Sequence, residues 1–180
     1  MGCDKAHAEV AGVSNASRVA SLLDSLFEEV LLVGGDPPHD APGRRVPDGS
    51  GPRCALRGLV AALQHAEADR VLVVATDLPL LTADLLLALV AWPQADVVVP
   101  STLEGPQPLC SLYRTDAVLP VAQERLRDGK LAMRGLLEAV SASALGEEDL
   151  RMLDAEVVLT NVNTPAELSL AESLIARTRV

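Results

Sequence analysis

The segment RVLVVATDLP (residues 70–79) decides the fold. Its residues from Val71 to Ala75 are apolar without alternation, which is typical of a strand that is covered on both faces. Such strands occur in parallel sheets with helices packed on both sides. Asp77 follows the run after Thr76, and ligands bind at the carboxyl ends of the strands in open α/β sheets. The segment therefore predicts a central strand with a polar residue at its functional end.

Helical and extended patterns alternate along the rest of the chain. Because this alternation is typical of layered α/β proteins, it predicts an α/β fold with a mainly parallel sheet. No internal repeat or linker interrupts it, so residues 1–180 are expected to form a single domain. Helices are predicted at residues 17–29, 56–66, 82–92, 116–129, 130–140 and after a T-P-A-E capping box at 164–167, and further strands at 29–35, 95–100 and 108–114.

The overall charge limits the class of partner. The formal net charge is −10, which argues against non-specific binding to nucleic acid or anionic membranes. The cysteines Cys3, Cys54 and Cys110 are odd in number and widely spaced, so they fit neither a disulfide framework nor a zinc site. The sequence shows no signal peptide and no apolar span of membrane length, so the cytoplasm is the default compartment.

Three residues could carry chemistry. Asp77 could bind Mg²⁺, which often uses one or two carboxylates together with substrate phosphates, or it could close an Asx-turn before Pro79. Asp48 lies in R-V-P-D-G, where an ordinary Asp–Gly turn is the simpler interpretation. Lys5 follows Gly2 and could act as a point charge on phosphate, although a lysine near a chain end is more often only solvated.

Six motifs taken in order are more specific than any one of them. Together they resemble the molybdenum cofactor guanylyltransferases, the MobA family, over essentially the whole chain. The resemblance implies a three-layer, Rossmann-like fold of the nucleotide-diphospho-sugar transferase type. The motifs are MGCDKA (1–6), RVPD (45–48), LRGLVAAL (56–63), VLVVATDLPLL (71–81), QPLCSLYR (107–114) and NVNTPAEL (161–168).

The resemblance also implies an activity and a site. The activity is transfer of GMP from GTP to molybdopterin, with release of pyrophosphate. Lys5 matches the lysine that contacts nucleotide phosphates, and Asp48 matches a nucleotide-contacting acid. Asp77 matches the acid that binds Mg²⁺ and nucleotide, whereas Asn161 and Asn163 match asparagines near the pterin.

The sequence also departs from the family pattern. The first strand and most of the glycine-rich loop, L-A-G-G-x-S-x-R, are absent, which should leave neighbouring strands unpaired. Either the start lies further upstream, which we favour because Lys5, Asp48 and Asp77 are retained, or this is a degenerated copy. The segment G-P-R-C-A-L-R-G (51–58) is also longer than the family's G-P-L-A-G.

Two other functions fit the same sequence. One is a related cytidylyl- or sugar-phosphate nucleotidyltransferase of the same fold. The other is a non-catalytic protein that docks to a molybdoenzyme maturation partner. A nucleotide-preference assay separates the first from guanylyl transfer, and the absence of Mg²⁺-dependent GTP binding would favour the second.

Overall fold

The computed structural model describes residues 9–10, 12–51, 53–93 and 95–160. None of the helices within these ranges is both long enough and apolar enough to cross a membrane. The strands are β1 (Glu9–Val10), β2 (Val13–Ser14), β3 (Leu31–Val33), β4 (Arg44–Val46), β5 (Arg70–Val74), β6 (Val97–Val99), β7 (Ser101–Thr102), β8 (Gly105–Pro106), β9 (Cys110–Arg114) and β10 (Ala142–Ala144). The helices are α1 (Asn15–Asp24), α2 (Ala55–His65), α3 (Ala83–Ala91), α4 (Thr115–Arg127), α5 (Met133–Ala139), α6 (Glu147–Met152) and α7 (Ala155–Val158).

A four-stranded sheet in the order β10-β6-β9-β5 forms the middle of the molecule. Strand β10 is parallel to β6, whereas β9 is antiparallel to both of its neighbours. Strands β5, β6 and β10 therefore share one direction, and β9 runs against them. The expectation of an α/β fold with parallel strands is confirmed, and the sheet is mixed because β9 is inserted between β6 and β5.

Helices cover both faces of this sheet, which gives three layers. On β6, Val97 and Val99 point into one apolar cluster and Val98 into the other, as the period of a strand requires. The first cluster contains residues of α2, α4 and α5. The second contains residues of α3 and α7, with Leu22 and Leu23 of α1 packed against it.

Strands β3 and β4 form a separate parallel pair. In the described ranges β5 pairs with β9 only, and no strand joins β5 to β3. Within the part of the chain that the structure describes, the other edge of β5 therefore has no strand partner. Val71 and Val73 of β5 pack against one apolar cluster and Leu72 and Val74 against the other, so the expectation that both faces of this strand are covered is confirmed, although its residues are only half-buried.

Most element boundaries agree with the sequence patterns to within a few residues, but α1 does not. The apolar periodicity predicts a helix over residues 17–29, whereas α1 starts after the cap residue Ser14 and ends at Asp24. Its end is fixed by Ser25, whose Oγ donates to the carbonyl of Leu22 at 2.7 Å. The amide of Phe27 then bonds back to Leu23 in a turn. The predicted helix after residue 164, with its capping box, lies outside the described residues.

Candidate functional site

The carboxyl ends of β3 and β4 meet where Gly34 and Asp48 lie. The amide of Gly34 donates to the carbonyl of Val46 at 2.9 Å, which extends the parallel pair by one residue. Gly34 has a φ of +66°, and a Cβ at this position would lie 2.8 Å from Cγ of Asp48. A glycine is therefore required for two reasons, since the backbone is left-handed and the carboxylate of Asp48 packs directly on it.

Helix α2 shows that Asp48 and Asp77 follow strands of the same direction. At the start of β4, Arg44 reaches the carbonyl of His65 at the end of α2. At the other end of β4, Asp48 contacts Arg57 in the first turn of α2. The helix therefore runs opposite to β4, and the chain returns from its end along β5. Because β4 and β5 share this direction, Asp48 and Asp77 both lie at the carboxyl edge.

Asp77 is half-buried in the turn after β5. Its neighbours Leu78 and Pro79 are buried and hold the turn against the core. Among the described residues, no backbone amide or cationic side chain bonds to its carboxylate, so the Asx-turn interpretation finds no support. Because the residue is only half-buried, its carboxylate can still reach solvent. The carboxylate of Asp77 is therefore accessible to a ligand, and its role in ligand binding stays a prediction.

The start of β9 completes the edge beside Asp77. The amide of Ala75 donates to the carbonyl of Leu109 at 2.7 Å, which joins the Q-P-L segment to the end of β5. The Tyr113 hydroxyl donates to the carbonyl of Pro108 at 2.6 Å and fixes the same segment from within the core. Burial raises the pKa of Tyr113 well above its usual range, so this hydroxyl remains a hydrogen-bond donor.

Asp48 is held by an arginine that the sequence patterns did not single out. Arg57 is 6% exposed, and its Nε and Nη2 both donate to Oδ2 of Asp48, at 3.2 and 2.5 Å. Its Nη1 donates to the carbonyl of Gly51. A signal was present, because Arg57 lies three and four positions before Val60 and Ala61, which are buried. A charge on such a face needs a partner.

A cavity of about 650 Å³ opens beside Asp48, between the 47–50 segment and the facing sides of α2 and α4. Its floor includes Val60 and Leu126, and Gln64 and Arg127 line its outer part. Asp77 is not part of its lining. The cavity therefore lies on the helical side of Asp48, and the carboxyl edge of the strands is a separate surface.

The arginine pair of β4 has a structural role at the opposite edge. Arg44 donates to Oε1 of Glu29 at 2.5 Å and to the carbonyl of His65 at 2.9 Å. Arg45 donates to the carbonyls of Pro37 and Pro38. The bond from Arg44 lowers the pKa of Glu29. Both arginines are exposed, and these contacts do not bring either of them to the carboxyl edge.

The described residues bear on the expected Mg²⁺ site only through Asp77. They contain no group of three or more His, Cys, Asp or Glu side chains placed to hold a metal ion. A single oxygen ligand from the protein suits a cation that takes its other ligands from phosphate and water. Lys5, Asn161 and Asn163 lie outside the described residues, so their positions relative to Asp77 stay predictions.

The chain is similar to known nucleotidyltransferases over nearly its whole length. The family model of the MobA-like NTP transferase domain matches residues 1–148. The probable molybdenum cofactor guanylyltransferase of Pelotomaculum thermopropionicum is 35% identical over 99% of this chain and 89% of its own length. The corresponding protein of Chloroflexus aggregans is 32% identical, over 91% of this chain and 81% of its own.

The solved structures show the same fold. The molybdopterin-guanine dinucleotide biosynthesis protein A of Archaeoglobus fulgidus superposes with a TM-score of 0.78. The superposition covers 98% of this chain and 92% of that one, at 22% sequence identity. The chain therefore belongs to the MobA-like NTP transferase family, and it is a nucleotidyltransferase enzyme similar to the molybdenum cofactor guanylyltransferases.

Proposed function

We propose that this enzyme transfers GMP from GTP to molybdopterin and releases pyrophosphate. The observation that carries the proposal is Asp77, a half-buried carboxylate without a partner among the described residues. It follows β5, and the direction of α2 between β4 and β5 indicates that it lies at the same edge as Asp48. The relatives named as guanylyltransferases support the choice of reaction. A nucleotide bound at this edge would place its phosphates near Asp77 and its base or ribose near Asp48.

The reaction needs positioning and charge stabilisation more than proton transfer. An oxygen of the pterin's terminal phosphate attacks the α-phosphorus of GTP and forms a new P–O bond. The bond between the α-phosphorus and the bridging oxygen breaks, and pyrophosphate leaves with its electron pair. Because the attacking phosphate is already an anion, no general base is required. Holding the two reactants in line can supply much of the rate enhancement.

Asp77 would hold Mg²⁺, and Lys5 would add a positive charge near the phosphates. When bound, Mg²⁺ offsets the negative charge of the triphosphate. The donor set fits this ion, because Mg²⁺ commonly takes one or two carboxylates and completes its shell with phosphate and water oxygens. Asn161 and Asn163 would contact the pterin substrate.

The test is pyrophosphate release from GTP and from CTP, each with Mg²⁺ and molybdopterin. We expect turnover with GTP, and its loss in Asp77→Asn. The matched control is Asp69→Asn, which changes an exposed aspartate next to the other end of β5 and should keep wild-type turnover. Turnover with CTP alone would instead support a cytidylyltransferase.

Complete activity in Asp77→Asn would contradict the role of Asp77 in metal binding. A folded wild-type protein that releases no pyrophosphate and binds neither nucleotide would favour the third interpretation, a non-catalytic protein that docks to a molybdoenzyme maturation partner. The two nucleotides and the two aspartate variants therefore separate the three functions that the sequence allows.

A further inference from the structure

Arg57 binds both the Asp48 carboxylate and the backbone of the loop that follows Asp48. It is a buried arginine at the start of α2, with 6% of its surface exposed. Two of its nitrogens donate to one oxygen of Asp48, and a third donates to the carbonyl of Gly51. Because a guanidinium presents its donors in a rigid planar fork, these bonds fix the carboxylate and the loop carbonyl relative to each other.

The guanidinium of Arg57 restricts the orientation of the Asp48 carboxylate. Arg57 holds Oδ2 through two bonds, and Gly34 packs against the same carboxylate, since a Cβ built on Gly34 would lie 2.8 Å from Cγ and 3.0 Å from Oδ2. Every hydrogen bond to this carboxylate within the described ranges ends on Oδ2. Oδ1 therefore keeps its acceptor capacity, on a group that cannot rotate freely.

The same guanidinium also holds the loop between Asp48 and α2. Gly49 and Gly51 both have positive φ, +78° and +107°, so this loop follows a path that other residues rarely adopt. A loop that contains two glycines is flexible unless hydrogen bonds hold its backbone. Arg57 donates to the carbonyl of Gly51 and also to Asp48. It therefore links the end of the 49–51 loop to the residue that precedes the loop.

Charge gives a further reason for this arrangement. A nucleoside triphosphate is a polyanion, and a free carboxylate beside it would repel it. Arg57 pairs with Asp48 at salt-bridge distance, which offsets that repulsion and leaves Oδ1 as an acceptor. An oxygen acceptor with its charge balanced suits the N–H or O–H donors of a base or ribose.

We propose that Arg57 is a positioning residue for the nucleotide: it orients Asp48 and the 49–51 loop so that Oδ1 of Asp48 accepts a hydrogen bond from the base or ribose. Arg57 acts through Asp48 and does not itself contact the nucleotide. This inference rests on the proposed guanylyl transfer and adds a residue to its binding site.

The experiment is calorimetric titration of the whole chain with GTP and Mg²⁺, in wild type and five variants. Arg57→Gln and Asp48→Asn should each weaken binding about tenfold, which corresponds to about 1.4 kcal/mol. The double variant should also lose about tenfold and not about a hundredfold, because the arginine acts through the acid. Arg53→Gln, an exposed arginine four residues away, is the control and should bind as wild type does.

A merely structural role would give a different pattern. It would lower the fraction of molecules that bind while leaving the Kd of the remainder unchanged. Arg57→Lys keeps the charge but not the fork, so it should fall between wild type and Arg57→Gln in Kd, and it serves if the glutamine variant does not fold. In turnover assays the substitutions at Arg57 should raise KM for GTP more than they lower kcat.

The outcomes that overturn the proposal are distinct. Wild-type affinity in folded Arg57→Gln and Arg57→Lys removes the positioning role and leaves guanylyl transfer standing. Additive losses in the double variant mean that Arg57 acts independently of Asp48, which also contradicts the proposal. If the wild-type chain binds no nucleotide, the proposed function fails first, and the role of Arg57 falls with it.

Discussion

Gly34 and Gly35 form a natural pair for testing whether Asp48 is clamped. Both have left-handed backbones, with φ of +66° and +62°. A Cβ on Gly34 would lie 2.8 Å from Cγ of Asp48, whereas a Cβ on Gly35 would meet nothing within 4 Å. Replacing either glycine by alanine costs about 1–2 kcal/mol for the left-handed conformation. Only Gly34→Ala also displaces the carboxylate.

The size of the additional effect follows from the contacts of Asp48. Carbon atoms in contact normally lie about 3.5–4.0 Å apart, so the new methyl group must push Cγ of Asp48 away by about 0.7–1.2 Å. A shift of that size takes the 3.2 Å bond from Nε of Arg57 out of range. A hydrogen bond to a charged group contributes about 1.5–3 kcal/mol. Gly34→Ala should therefore be less stable than Gly35→Ala by about that amount.

The assay is urea unfolding of both variants and wild type, followed by GTP titration of the folded proteins. Gly35→Ala should lose about 1–2 kcal/mol in unfolding free energy and bind GTP as wild type does. Gly34→Ala should unfold at a distinctly lower urea concentration and bind GTP more weakly. Equal unfolding midpoints and equal affinities in the two alanine variants would refute the reasoning, because the clamp on Asp48 would then contribute nothing.

Three further predictions concern the stability of the fold and the burial of its side chains. Tyr113→Phe leaves the carbonyl of Pro108 without its buried donor and should lower the unfolding free energy in urea by about 1–3 kcal/mol. The pKa of Glu29 is lowered in the folded state by Arg44, so its small stabilising effect is complete at neutral pH and is lost as the pH falls through that lowered pKa. Glu29→Gln should therefore flatten the acid side of a stability-against-pH curve. Burial raises the pKa of the Cys110 thiol to about 12, so iodoacetamide at pH 8 should label it only after unfolding, as mass spectrometry can show.

The sequence predicted a helix best where the apolar spacing ends near the residue at which the helical backbone ends. For α2 the apolar residues Leu56, Leu59, Val60 and Leu63 placed the helix to within one residue of its observed bounds. For α1 the same kind of spacing extends past the end of the helix, because residues in a turn can also point into the core. Periodicity reports which side chains are buried, and hydrogen bonds such as that of Ser25 decide where the backbone leaves the helix.

Strand β10 shows what local sequence cannot contain. The segment Ala142–Ala144 has no β-branched or aromatic residue, so its propensity for a strand is weak. It becomes a strand because Val97–Val99 offers it a parallel edge in register. The antiparallel direction of β9 is likewise a property of the assembled sheet and was not visible in the apolar run at residues 108–114.

The candidate site was predictable in part. Asp77 and Asp48 follow strands, and the rule that α/β proteins bind ligands at strand ends singles out such positions. Family motifs then strengthened both. Arg57 lies within the LRGLVAAL motif, but that motif assigns it no role, and its role appears only when the fold brings the start of α2 against the end of β4. The available signal was its position within an apolar helical stretch, since a charge that becomes buried there requires a partner.

The central claim is that Asp77 at the end of β5 forms part of a Mg²⁺-dependent GTP site. The most direct measurement is calorimetric titration of wild type, Asp77→Asn and Asp69→Asn with GTP, with Mg²⁺ present and then removed by EDTA. The account predicts Mg²⁺-dependent binding in wild type and in Asp69→Asn, and its loss in folded Asp77→Asn. Equal GTP affinity in all three proteins, or binding that is unaffected by EDTA, would contradict it.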